Sequence, residues 1–165
     1  MPSELTSVAT RVSLADFTGL ELIVPRLQES DAAGIIEELS QRLRAQHAIG
    51  DVLSFYHAAV NHELLSNSDL PTGIAIPHAR SDQVRRLTLA VGRAREPVGW
   101  GGKSSRPVEW VFLIAVPATD ASGYLALLAS LAGLSRRPEM LARLHAATAA
   151  ESVLEILEEI PVGAC

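Results

Sequence analysis

The chain has 165 residues, enough for one well-buried core and too few to expect two. Its 48% apolar and 20% charged content is that of a soluble globular protein, and a formal net charge of −5 argues against nucleic acid as a partner. A single cysteine, Cys165, excludes an intramolecular disulfide and a cysteine metal cluster, which fits a reducing, cytoplasmic setting. The first twenty residues lack a basic start followed by an apolar core, so no signal peptide is expected. The longest apolar run, VFLIAV at 111–116, is too short for membrane insertion.

Residues 1–18 show no sustained periodicity and read as a loose N-terminal arm ahead of one domain over 19–162. ELIVP (21–25) is a short strand ended by Pro25. Ser30 and Asp31 can cap a helix whose Ile35, Ile36, Leu39 and Leu43 share a face and which should stop near Gly50. Asp51 caps a second helix, in which Val52, Phe55, Tyr56, Ala59, Val60 and Leu64 recur at helical spacing. The turn-rich SNSDLPTG (66–73) leads into GIAIP, an apolar strand. RLTLAVGR (86–93) puts Leu87, Leu89 and Val91 on one side at period two, a half-buried strand.

VGWGGKSSRP (98–107) reads as a flexible polar loop. VEWVFLIAV (108–116) is nearly continuous in apolar residues, as a central strand covered on both faces should be, and Pro117 ends it. YLALLASLAGL (124–134) is an apolar helix suited to packing on the sheet. Pro138 opens another, with Met140, Leu141 and Leu144. Thr148 and Glu151 match a capping box for a last helix bearing Val153, Leu154 and Leu157. The order predicts an α/β fold, a single-domain sandwich with a central mixed β-sheet flanked by helices.

Five histidines are candidates for chemistry. His47 and His145 lie near predicted helix C-termini, where a partly positive ring suits the helix dipole. His57 falls outside the apolar stripe of its helix. No pair has HExxH spacing, and no metal site is expected. His78 differs: it follows an apolar strand through Pro77, which blocks the ladder and launches the imidazole from a rigid strand end into the following loop. A neutral imidazole keeps one nitrogen lone pair free to act as base, ligand or nucleophile. The pattern alone leaves open whether His78 is such a group or a plain surface histidine. A hydrolase centred on His78 and His62 lacks an accompanying nucleophile motif such as GxSxG.

The stretch GIAIPHAR (73–80) resembles the active-site signature of the enzyme IIA domains of the bacterial phosphoenolpyruvate-dependent phosphotransferase system, in the fructose–mannitol class that includes nitrogen-regulatory members. The likeness runs in order over about residues 20–160: the helix ending HELL, the turn before GIAIPHAR, RLTLAVGRAREPVGW, PVEWVFLIAVP and YLALLASLAGL. The resemblance implies that His78 is a phosphoacceptor, charged by the histidine-containing phosphocarrier protein and discharged to a cysteine of an enzyme IIB domain, with no metal and no cofactor. Tyr124, His62, Arg80 and Thr72 are then candidates for the phosphate pocket, with Ser81 nearby.

Two departures from the family pattern weigh against full activity. Members commonly carry Arg-Glu where this chain reads His62-Glu63, and a second histidine where it reads Tyr124. Losing one charge-stabilising donor from such a transition state costs ~2.7–4 kcal/mol. An ionised His62, Arg80 or Lys103 would offset the loss. The resemblance therefore implies a stand-alone, nitrogen-type regulatory phosphohistidine carrier. The alternative is an enzyme IIA-like regulatory protein-binding module with weakened or lost phosphotransfer. Expected partners are the phosphocarrier protein and either an enzyme IIB domain or regulatory targets, met by Ile76 and the 98–106 loop.

Overall fold

Two long strands form the centre of the molecule, one apolar at nearly every position and the other over Leu89–Val91, so that both can be buried on two faces there. These are β4 (Thr88–Val98) and β5 (Val108–Pro117), paired antiparallel. The structure is a computed structural model that describes residues 11–101 and 107–163. Among the described residues five strands make one mixed sheet. β1 (Ile23–Val24) lies parallel to β4, and β2 (Ile74–Ala75) and β3 (His78–Ser81) both lie parallel to β5 on its other side.

Helices cover both faces. α1 (Ala32–Ala45) and α2 (Val52–Leu65) pack Ile35, Ile36, Leu39, Leu43, Phe55 and Ala59 against Ala75, Ala79, Ala90 and Ala115 of the sheet. The opposite face carries Leu89, Val91, Phe112, Ile114 and Val116. It meets Leu127, Leu131 and Leu134 of α3 (Gly123–Leu134), Met140 and Leu144 of α4 (Pro138–Ala146), and Val153 and Leu157 of α5 (Ala150–Glu158). The expected α/β sandwich with a central mixed sheet is the fold observed. No helix among the described residues is long and apolar enough to cross a membrane.

β4 was expected to be half-buried; instead Thr88 through Gly92 are buried on both faces, because β1 and β5 flank the strand and helices lie above and below it. His78 does not leave into a loop. Ile74 faces Trp110 and His78 faces Ile114, the same register on either side of Pro77, so the proline interrupts one edge strand without ending it. The Pro77 carbonyl still accepts from the Ile114 N–H at 2.9 Å. A proline removes only a donor, which an edge strand tolerates.

α1 ends at Ala45, short of Gly50. His47 takes the left-handed conformation (φ 61°) usually left to glycine. The His47 N–H then reaches Arg44 O and the Ala48 N–H reaches Leu43 O, a Schellman closure that buries Ala48. At the other end the Asp31 carboxylate accepts from Gly34 N at 2.7 Å. In α2 the buried stripe is Phe55, Ala59 and Glu63, spaced by four, while Leu64 is turned aside and 75% exposed. The capping box expected at Thr148 does not form, since Ala149 holds the N-cap position of α5 and no side chain caps it. Of the segment expected to be a loose arm (1–18), residues 1–10 lie outside the described residues, and the part from residue 12 is seated on the domain. Leu14 is wholly buried, its N–H bonds Ile160 O at 3.0 Å, and Val162 N bonds Val12 O.

Candidate active site

The interruption at Pro77 sets His78 as the first residue of β3, beside the last turn of α2 and the first turn of α3. Its imidazole is half-buried, with Nδ1 3.1 Å from the Ile76 carbonyl oxygen. A carbonyl can only accept, so the bond assigns the proton to Nδ1 and leaves the Nε2 lone pair free. Burial pushes the His78 pKa below its ordinary value. The Ile76 bond opposes that shift, the charge of His62 adds to it, and Glu63 opposes it. The ring is thereby held neutral near pH 7, the state in which it is a nucleophile.

His62, exposed on the last turn of α2, has its ring centroid 4.5 Å from that of His78. Tyr124, in the first turn of α3, lies on another side at 5.9 Å. Arg80 places its guanidinium carbon 5.2 Å from the centre of the Tyr124 ring. Its Nη1 donates to the carbonyls of Ala118, at 3.4 Å, and Asp120. The Asp120 carboxylate in turn accepts from Tyr124 N at 3.0 Å. The carboxylate is packed close to Gly123, where a Cβ would stand 2.6 Å from Asp120 Oδ1. With Val116, these four side chains line a pocket of about 220 Å³.

A buried carboxylate supports the site from behind. Glu63 accepts from Ser68 N at 2.7 Å, Ser68 Oγ at 2.8 Å and Trp100 Nε1 at 2.8 Å. Ser68 Oγ accepts from Ile76 N at 3.0 Å, and Ile76 O is the group that orients His78. The sequence reading missed this chain. The available signal was a glutamate on the buried stripe of α2, a position where a charge must find partners.

Of the residues expected in the pocket, His78, His62, Arg80 and Tyr124 converge. Thr72 sits in the turn before β2, outside the lining, with its buried hydroxyl unpaired. Ser81 Oγ accepts from Gln83 N at 3.0 Å. Lys103 lies outside the described residues. Ile76, expected to meet partners, is 2% exposed, and Trp100 of the 98–106 loop is buried on Glu63. His57 is exposed, and His145 lies 3.0 Å from Glu109. Among the described residues no group of three or more His, Cys, Asp or Glu is arranged to hold a metal ion.

Residues 16–160 match the family described as "Phosphoenolpyruvate-dependent sugar phosphotransferase system, EIIA 2". The chain belongs to this family. It is an enzyme IIA domain of the phosphotransferase system, and its likeness extends to nitrogen regulatory members. The crystal structure of the nitrogen regulatory protein IIA-Ntr from Neisseria meningitidis superposes with a TM-score of 0.79 at 29% identity, covering 87% of this chain and 98% of that one. The fructose-specific EIIA component of Haloferax volcanii is 26% identical over 147 residues, 89% of this chain and 96% of the relative. The fructose-specific EIIABC component of Bacillus subtilis is 26% identical over 133 residues, 81% of this chain but 21% of the relative. This enzyme IIA domain thus spans about a fifth of the length of that relative.

Proposed function

We propose that His78 is the phosphoacceptor of this enzyme IIA domain, attacking phosphorus through Nε2. The observation that carries the reading is the Nδ1 hydrogen bond to Ile76 O, which leaves Nε2 as the free lone pair. The phosphoryl donor is the histidine-containing phosphocarrier protein, and the protein works as a nitrogen-type regulatory carrier. The new Nε2–P bond forms as the bond from phosphorus to the donor's imidazole nitrogen breaks, with that electron pair returning to the donor ring. Charge spreads over three equatorial oxygens in the transition state, so the chemistry asks for position and oriented donors. The Ile76 carbonyl holds the Nδ1–H as the attacking ring becomes positive. Arg80, His62 and the Tyr124 hydroxyl supply the surrounding donors from a shared pocket.

Exposed leucines follow two pocket residues in sequence, Leu64 and Leu65 after His62 and Leu125 after Tyr124. They suit an apolar partner surface whose reactive group must come within bonding distance of His78. The phosphoryl group then passes to a cysteine of an enzyme IIB domain or remains as a signal that selects regulatory targets. Incubation with enzyme I, the phosphocarrier protein and phosphoenolpyruvate should give an acid-labile phosphate that is absent from His78→Ala. Its persistence in that variant sinks the assignment.

The second reading, a regulatory binding module with weakened phosphotransfer, is favoured by the histidine and tyrosine standing where the family commonly has arginine and histidine. Capture of partners by wild type and by His78→Asp separates the two. Identical partner sets speak against a phosphorylation switch.

A further inference from the structure

The His62 and His78 rings share one pocket with their centroids 4.5 Å apart. Two imidazoles this close resist carrying a proton each. A phosphoryl group on His78 reverses that relation. It brings a charge of about −1.5 to −2 and three acceptor oxygens into the space that His62 lines. A negative charge within ~4–6 Å favours the protonated form of a ring. His62 is exposed, so water can deliver the proton.

The other charged and titratable groups around His62 are accounted for. On its own helix Glu63 points inward and is committed to Ser68 and Trp100. From β3 come His78 and Arg80. The Arg80 cation is drawn onto the carbonyls of Ala118 and Asp120 and the face of Tyr124. From α3 and the turn before it come Tyr124 and Asp120, whose carboxylate bonds Tyr124 N. Among these residue types only imidazole ordinarily changes charge between pH 5 and 8.

We propose that His62 is a proton-linked partner for phosphate: the phosphorylated protein takes up a proton on His62, so that the phosphoryl-transfer equilibrium is coupled to pH. The inference rests on the phosphocarrier reading above. The proton enters from solvent as the Nε2–P bond forms and returns to solvent when the phosphoryl group leaves. Linkage is reciprocal, so acidification through the imidazole range draws phosphoryl groups onto this protein.

The test follows the ring C–H resonances of His62 against pH in the free protein and after phosphorylation, with phosphoramidate as a chemical donor. In parallel, the phosphorylated fraction at equilibrium with the phosphocarrier protein is read between pH 8 and pH 6 for wild type, His62→Gln and His62→Arg. We expect the His62 midpoint to move to higher pH on phosphorylation. The wild-type fraction should rise several-fold more on acidification than that of either variant, with His62→Arg holding phosphate best at pH 8. Comparison with the variants removes the ionisations of the donor and of the phosphoryl group. Identical His62 titrations in the two forms, or equal slopes in wild type and His62→Gln, overturn the inference. A His78→Glu variant keeps the two readings apart: its fixed negative charge should also move the His62 midpoint upward. If it does while no phosphoryl group ever forms on His78, the carrier reading alone fails. If it does not, the inference fails.

Discussion

Glu63 and Trp100 stand thirty-seven positions apart and are joined by a 2.8 Å hydrogen bond from the indole N–H to the carboxylate. The same carboxylate holds Ser68, Ser68 holds Ile76, and Ile76 holds His78. Glu63→Ala leaves an indole N–H and a hydroxyl without their acceptor in a water-poor site. The expected loss is about 1–3 kcal/mol, read by denaturant unfolding, with a change in Trp100 emission. A loss below ~0.5 kcal/mol, the size of an ordinary surface substitution, would remove the supporting role.

The Ile76 bond fixes which nitrogen of His78 carries its proton. Nitrogen-15 NMR of the free protein at pH 8 should show the Nδ1–H form, and the phosphorylated protein should carry phosphorus on Nε2. Phosphorus on Nδ1 would contradict the geometry.

Burial lowers the His78 pKa, so its sign in the stability of the fold can be stated. In the range between the lowered native value and the ordinary imidazole value, the unfolded chain binds more protons than the native one. Stability contributed by the neutral ring is therefore complete above ~6.5 and is lost as pH falls through the native value. Relative to His78→Gln, wild type should lose stability on acidification and show no such difference at pH 8. A wild type that gains relative stability on acidification would refute this.

Arg80 is a pocket cation on the same strand as His78, anchored at the carbonyls of Ala118 and Asp120. Arg80→Gln should slow phosphorylation about ten- to a hundredfold, the equivalent of one charge-assisted hydrogen bond. Rapid-quench assay of labelled phosphate measures it, and an unchanged rate would take Arg80 out of the reaction.

Leu14 lies before the family match, yet is wholly buried against the α3–α5 face. Leu14→Ala should cost about 2–5 kcal/mol in thermal or denaturant unfolding, as for other core leucines. A neutral result would return residues 12–18 to a dispensable arm.

Periodicity located the helices and the central strand, because burial on one face or two leaves its mark on adjacent residues. It failed where neighbours in space decide the outcome. The left-handed turn at His47 stops α1 early, though no glycine announces it. Leu64 fits the apolar spacing of α2 and is nevertheless exposed, while Glu63 is buried because Trp100 and Ser68 satisfy it. Thr72, a pocket candidate by proximity in sequence, lies outside the lining.

Residue type and local spacing were enough for the sandwich, the PH motif at Pro77-His78 and the family resemblance. It took the folded chain to show that His78 opens an edge strand with Nε2 free, and that His62, Arg80 and Tyr124 surround it. Those side chains come from three elements, and no local preference sets the distances between them. Packing of α2 and α3 against opposite sides of one sheet does.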